Sequence, residues 1–208
     1  MQDEPDLNAA YGLETPDDNR RLYAQWAATY DDEFAVDMDY MLPLHVAEAY
    51  AAAGGQGPVI DLGAGTGLLG AALRSCSVGP VAATDLSQDM LDVAARKGLY
   101  DRLFTGDLLS RLPVDDGAYA GAVSSGTFTH GHVGPQALDE VLRVVRPGGI
   151  VALSINAEHW TAKGFAERFE ALEDRIANLS LRTVRIYGPE ASGPHSGDLS
   201  QVVTFTRV

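Results

Sequence analysis

Cysteine is nearly absent from this chain. Cys76 is the only one in 208 residues, which excludes an internal disulfide and any site built from several thiols. Cations are also scarce: 15 Lys and Arg stand against 29 Asp and Glu, for a formal net charge of −14. No basic run occurs, so nucleic acid is not an expected partner, because phosphate contacts need clustered Lys and Arg. The acidity itself is read as a solubility device. Long apolar runs are missing too. The longest, near "GGIVALSI", is far too short to cross a bilayer, so no membrane association is expected. The opening "MQDEPDLNAAYGLETPDD" has neither a basic nor an apolar segment, and no secretory signal is expected. With a single thiol, the cytoplasm is the expected compartment. No His/Cys/Asp set has metal-ligand spacing, and no G-x-S-x-G elbow is present. Neither a metal site nor a covalent hydrolase is therefore expected.

What the chain does have is enough apolar material, 46% of residues, for one sizeable core. Its pattern divides in two. Residues 1–55 read as an acidic arm followed by two lid helices, "DDNRRLYAQWAATY" and "YMLPLHVAEAYAAAG". Residues 56–208 read as the body, in which strand-like and helical runs alternate. Strands are expected at 58–62, 81–84, 103–105, 118–124 and 150–155, with helices at 67–75, 88–97, 136–145 and 159–179. The last helix rests on the three-and-four rhythm of Trp160, Phe165, Phe169, Leu172, Ile176 and Leu179. The closing runs "LRTVRIYG" and "LSQVVTFTRV" have no helix between them and should pair antiparallel. The expected fold is α/β: a doubly wound, seven-stranded, mostly parallel sheet ending in an antiparallel strand pair.

The segment "PVIDLGAGTGLLGAAL" joins a buried strand to a helix through Gly63, Gly65 and Gly67. Glycines there permit close ligand approach, and a helix N-terminus offers free N–H groups. Gly65, Gly67 and Gly70 also satisfy G-x-G-x-x-G, so an NAD(P)-dependent oxidoreductase is a competing reading. Asp61, two residues before the first glycine, argues against a pyrophosphate and for a ligand with an ammonium or sulfonium. Asp85, at the end of the second strand, suits ribose hydroxyls in either class of ligand. Asp107 is placed to take an adenine amino group, with Leu86, Met90 and Leu108 around the ring. S-adenosyl-L-methionine carries an amino group, a positive sulfur and a ribose without phosphate, and answers this set better than NAD.

Taken in order, "VIDLGAGTG", "ATDLSQDMLDVAARKG", "FTGDLLSRLPVDDGAYAGAVSSG" and "ALDEVLRVVRPGGIVALSI" resemble the successive motifs of class I S-adenosylmethionine-dependent methyltransferases. The upstream "LYAQWAATYDDEF" resembles that superfamily's W-x-x-x-Y-D segment. More narrowly, "DLSQDMLDVAARKGLYDRLFTGDL" and "LRVVRPGGIVAL" are similar to the Williams–Beuren syndrome region methyltransferase-like family. The resemblance implies roles for individual positions. Asp61, Gly63, Ala64, Gly65 and Gly67 correspond to the loop under the methionine moiety, with Ala64 where cysteine is frequent. Asp85 corresponds to the ribose acid, Leu86 to its adenine neighbour, and Asp107 with Leu108 to the adenine edge. Ser124 and Ser125 correspond to contacts at the end of the fourth strand, and Trp26 and Tyr30 to residues that close over the donor.

The acceptor is less visible. After the fourth strand the chain reads "SSGTFTHGHVGP", without the N/D-P-P-Y pattern of amide and exocyclic-amine methylation. His130 and His132 in that stretch are candidate general bases. The expectation is methyl transfer to a small-molecule acceptor by a monomer or homodimer. A non-catalytic adenosyl-ligand-binding protein is the remaining alternative.

Overall fold

A computed structural model describes residues 18, 21, 22, 27, 38–129 and 133–208. Helix α1 (Leu42–Ala52) leads into strand β1 (Val59–Leu62), helix α2 (Leu68–Ser75), β2 (Val81–Asp85), α3 (Gln88–Arg96) and β3 (Arg102–Thr105). Then follow β4 (Tyr119–Phe128), a 3-10 turn (Pro135–Ala137), α4 (Leu138–Val144) and β5 (Val145–Asn156). Two short helices, α5 (Ala157–Lys163) and α6 (Phe165–Glu170), precede β6 (Ile176–Arg185) and β7 (Leu199–Arg207). One seven-stranded sheet results, in the order β3-β2-β1-β4-β5-β7-β6. Strands β1 to β5 run parallel, while β7 is antiparallel to both β5 and β6.

Central β1 is buried along its whole length, as a parallel strand covered on both faces must be. One core lies between the sheet and α4, α5 and α6, and holds Leu138, Leu142, Phe165 and Phe169 against Leu153 and Val203. The other lies under α1 and α2 and holds Val46, Tyr50, Leu69 and Leu73. Expected as a lid element, α1 thus packs on the body. Gly121 makes this possible, because a Cβ there would lie 2.1 Å from the Tyr50 hydroxyl. That hydroxyl is free to donate to the Gln56 carbonyl at 2.8 Å. The chain order reverses on either side of β1, since β2 and β3 lie to one side and β4 and β5 to the other. The crevice at the carboxyl ends of β1 and β4 is where such sheets bind ligands.

The expected helix over 159–179 is not continuous. Gly164, at φ 70°, ends α5 in the left-handed conformation and starts α6. From Ile176 the chain is strand, with Ile176 opposite Arg207 and Leu181 opposite Val203. The apolar spacing misled because Ile176 is buried from the start of a strand, whereas Leu179 is 42% exposed. Strands β4 and β5 also exceed their expected lengths, β4 by running on through Gly126 to Phe128.

Candidate functional site

A cleft enclosing about 910 Å³, open to solvent, lies at the carboxyl ends of β1, β2 and β4. The expected residues Gly63, Ala64, Gly65, Asp85, Leu86, Met90, Asp107, Leu108 and Ser125 line it. Asp61, Gly67 and Ser124 do not. Trp26, Tyr30, His130 and His132 fall outside the described residues.

The loop glycines have distinct jobs. At Gly63, a Cβ would come within 2.1 Å of Thr127 Oγ1, so this glycine lets β1 and β4 approach. At Gly67 and Gly70, it would meet the Tyr100 ring at 3.1 and 2.5 Å. At Gly65, it would meet nothing within 4 Å and would point into open space. Gly65 is therefore the position at which the backbone is bare toward a ligand.

Asp85 closes the loop from β2. Its Oδ2 accepts from the Gly65 amide at 2.8 Å and its Oδ1 from the Ser87 amide at 2.9 Å. Burial pushes its carboxyl up, while the Ser87, Gly65 and Leu86 amides pull the other way. Each oxygen has a second lone pair, so hydroxyl donors can still be accepted from the cleft side. Asp107 forms a turn, with Oδ1 accepting from the Leu109 amide at 2.8 Å, and it lines the cleft as well. Met90 and Leu108 are nearly fully buried and still present a face to the cleft. Their packing and lining roles coincide.

Asp61 sits beneath the loop, fully buried. Its Oδ2 accepts from the Tyr100 hydroxyl at 2.7 Å, and that hydroxyl accepts in turn from the Gly70 amide at 3.1 Å. Asp61 Oδ1 has no hydrogen-bond partner among the described residues. Burial pushes this carboxyl up to about 7, against the Tyr100 hydrogen bond and with help from the nearby Asp85 charge. The Tyr100 phenol is raised in turn, first by burial and then by Asp61. Ser124 is equally buried and donates to the Leu62 carbonyl at 2.6 Å, which ties β4 to β1.

Sequence patterns did not reveal the far wall. Tyr40, Pro43, Thr84, Thr127 and Val133 also line the cleft. Tyr40 bridges to Tyr187 across the sheet end, and the Met41 amide donates to the Ile186 carbonyl at 3.0 Å. Burial pushes the Tyr40 phenol up to about 12, with the Ser125 hydroxyl pulling the other way. Among the described residues the linker 188–198 contributes no lining residue to the cleft, although the Gly188 amide donates to the Asp39 carbonyl at 2.8 Å. Phe128, close to the cleft in sequence, is core and packs edge-on against Phe165. No local motif marks Tyr40 or Tyr100, because each acts through a contact distant in sequence.

An adenosyl ligand fits this set. A bare loop faces the space, an acid stands at the end of β2, and Leu86, Met90 and Leu108 offer apolar surface beside it. Thr84 Oγ1, a buried hydroxyl of the lining, has no partner among the described residues. Buried polar atoms left without protein partners commonly mark a ligand or water position.

Residues 59–149 match a family described as a methyltransferase domain. Over 180 residues the chain is 30% identical to methyltransferase-like protein 27 of Homo sapiens, covering 84% of this chain and 72% of that one. Among solved structures, a methyltransferase of Haloferax volcanii in complex with the Trm112 methyltransferase activator superposes with a TM-score of 0.61 at 20% identity, over 88% of this chain and 96% of that one. An S-adenosylmethionine-dependent methyltransferase of Thermotoga maritima gives 0.61 at 16% identity, over 90% and 98%. At such identities the solved structures speak for the fold, and the family rests on the sequence matches. These matches do not favour the dinucleotide reading. With the loop and strands β1 to β4 inside the matched domain and most of the chain aligned to the human relative, this protein belongs to the class I S-adenosylmethionine-dependent methyltransferases, and S-adenosylmethionine is its methyl donor.

Proposed function

We propose that the chain transfers the methyl group to a neutral or weakly polar small molecule by direct in-line displacement. The supporting observation is the cleft lining. Among its described residues there is no Lys, Arg or His, while Tyr40, Pro43, Leu86 and Val133 supply apolar surface. A polyanionic acceptor would find no counter-charge among these described residues. When bound, S-adenosylmethionine supplies an electrophilic methyl on a positive sulfur. The chain's own task is then to orient two reactants and exclude water. In this proposal Asp85 holds the ribose, Asp107 and Leu108 the adenine edge, and Gly63 to Gly67 the methionine portion.

Asp85→Ala is expected to weaken S-adenosylmethionine binding by about 1–3 kcal/mol, the range for losing a buried charged acceptor. An unchanged dissociation constant by calorimetry would remove Asp85 from the ribose. The acceptor is found by screening a metabolite library for S-adenosylhomocysteine release. Cofactor binding with no turnover on any acceptor would favour the non-catalytic alternative.

If the acceptor must lose a proton, His130 or His132 is the proposed base. The double variant His130→Ala, His132→Ala is then expected to lose about 10²-fold in turnover with cofactor affinity intact. Full activity in that variant would leave alignment alone as the mechanism.

A further inference from the structure

Strand β6 is the outer edge of the sheet, and it is long. Among the described residues its ten residues pair only with β7, and most are exposed. A long exposed edge is a template for another strand. Leu179 and Leu181 on it are 42% and 46% exposed. With Trp160, Phe169 and Ile176 they line a groove between β6 and α6, and Glu170 and Glu173 stand in the same groove. Leu181 pairs with Val203, whose β5 partner Leu153 lies in the same core as Phe169. The groove is thus an open continuation of that core. Strand alternation puts Thr183 and Arg185 on the face of Leu181. Arg185, Glu170 and Glu173 are exposed and form no ion pair among the described residues.

We propose that β6 is the seam of a two-fold dimer, in which the β6 of a second copy adds antiparallel and closes the groove. Pairing centred on Leu181 sets the two Leu181 side chains against each other and Leu179 level with Thr183 of the partner subunit. Because a bulge between Ala177 and Ser180 takes up one residue, the pairing brings Arg185 of the partner subunit level with Ile176, which shares the groove with Glu170 and Glu173. Acid at one end of the face and base at the other make the surface self-complementary under a two-fold axis, as an isologous interface requires. Arg182, on the opposite face, falls level with Ser180 of the partner subunit. A second copy is favoured over a foreign peptide because the matching charge polarity already exists on this one face, with Arg185 on the strand and Glu170 and Glu173 beside it.

Sedimentation equilibrium of the full chain at micromolar concentration is expected to give twice the monomer mass. Arg185→Glu is expected to weaken the dimer about tenfold or more, and adding Glu173→Arg to recover it. In a Cys76→Ser background, Leu181→Cys is expected to form an intermolecular disulfide on mild oxidation, since the two positions face each other on the axis. This second variant does not depend on a disruptive charge being tolerated. A chain that stays monomeric at millimolar concentration overturns the proposal. So does a dimer that Arg185→Glu leaves intact and Leu181→Cys fails to cross-link.

Discussion

Gly65→Val is expected to abolish S-adenosylmethionine binding in a chain that still folds. The loss should reach at least about 10³-fold, equivalent to about 4 kcal/mol. A Cβ at Gly65 meets no atom within 4 Å, so the new side chain displaces no protein group and instead fills the cleft. The folding penalty comes from the backbone, because Gly65 has φ +53°, which costs an L residue about 1–2 kcal/mol. The same backbone carries the amide that donates to Asp85, so strain there also loosens that carboxylate. Gly148→Val is the matched control. Gly148 has φ +78° and open space around its Cβ position, but it does not line the cleft. Both variants should melt a few degrees early, and only Gly65→Val should lose its calorimetric signal. A folded Gly65→Val chain with retained affinity would remove the donor from this loop.

The contrast among the loop glycines shows what a sequence can and cannot convey. Strand-to-helix alternation, the loop position and the acid at the end of β2 were legible, because each is a local pattern with a short physical cause. The division of labour was not. Gly63, Gly67 and Gly70 are glycines because Thr127 and Tyr100 press on them, and those residues come from elsewhere in the chain. The break at Gly164 was signalled by the glycine itself, yet the apolar rhythm continuing through Ile176 concealed it. A residue at the mouth of an antiparallel strand can be buried at a spacing that also suits a helix. Tyr40 was missed for a related reason: its place at the cleft depends on backbone pairing with Tyr187, 147 residues away in the chain.

The fate of Asp61 is where stability and function are expected to part. The sequence suggests an acid at the lip of the loop, but the carboxylate lies below it, with one oxygen on Tyr100 and the other unpartnered among the described residues. A carboxyl raised from 3.8 to about 7 opposes the folded state once it ionises. Its contribution is fully favourable below the unfolded value near 3.8, declines as pH rises, and reaches its largest cost, about 4 kcal/mol, above about 7. Asp61→Asn should therefore be more stable than the native chain above neutrality. The gain is cut to about 1–3 kcal/mol because the new amide also lacks a partner. It should fade as pH falls toward 4 and vanish below it, once the carboxyl is protonated in the unfolded state as well as in the folded one. Cofactor binding should move the opposite way. A cation above the loop favours the ionised acid, so native affinity should be highest above about pH 7 and fall as Asp61 protonates below it. Removing that charge should weaken binding about 10²–10³-fold above neutrality, the scale of breaking a buried charge pair. Thermal melts and calorimetry of both chains across neutrality test the two halves separately. If Asp61→Asn is stabilised but binds S-adenosylmethionine as tightly as the native chain at alkaline pH, the acid serves the Tyr100 contact alone and not the donor's charge.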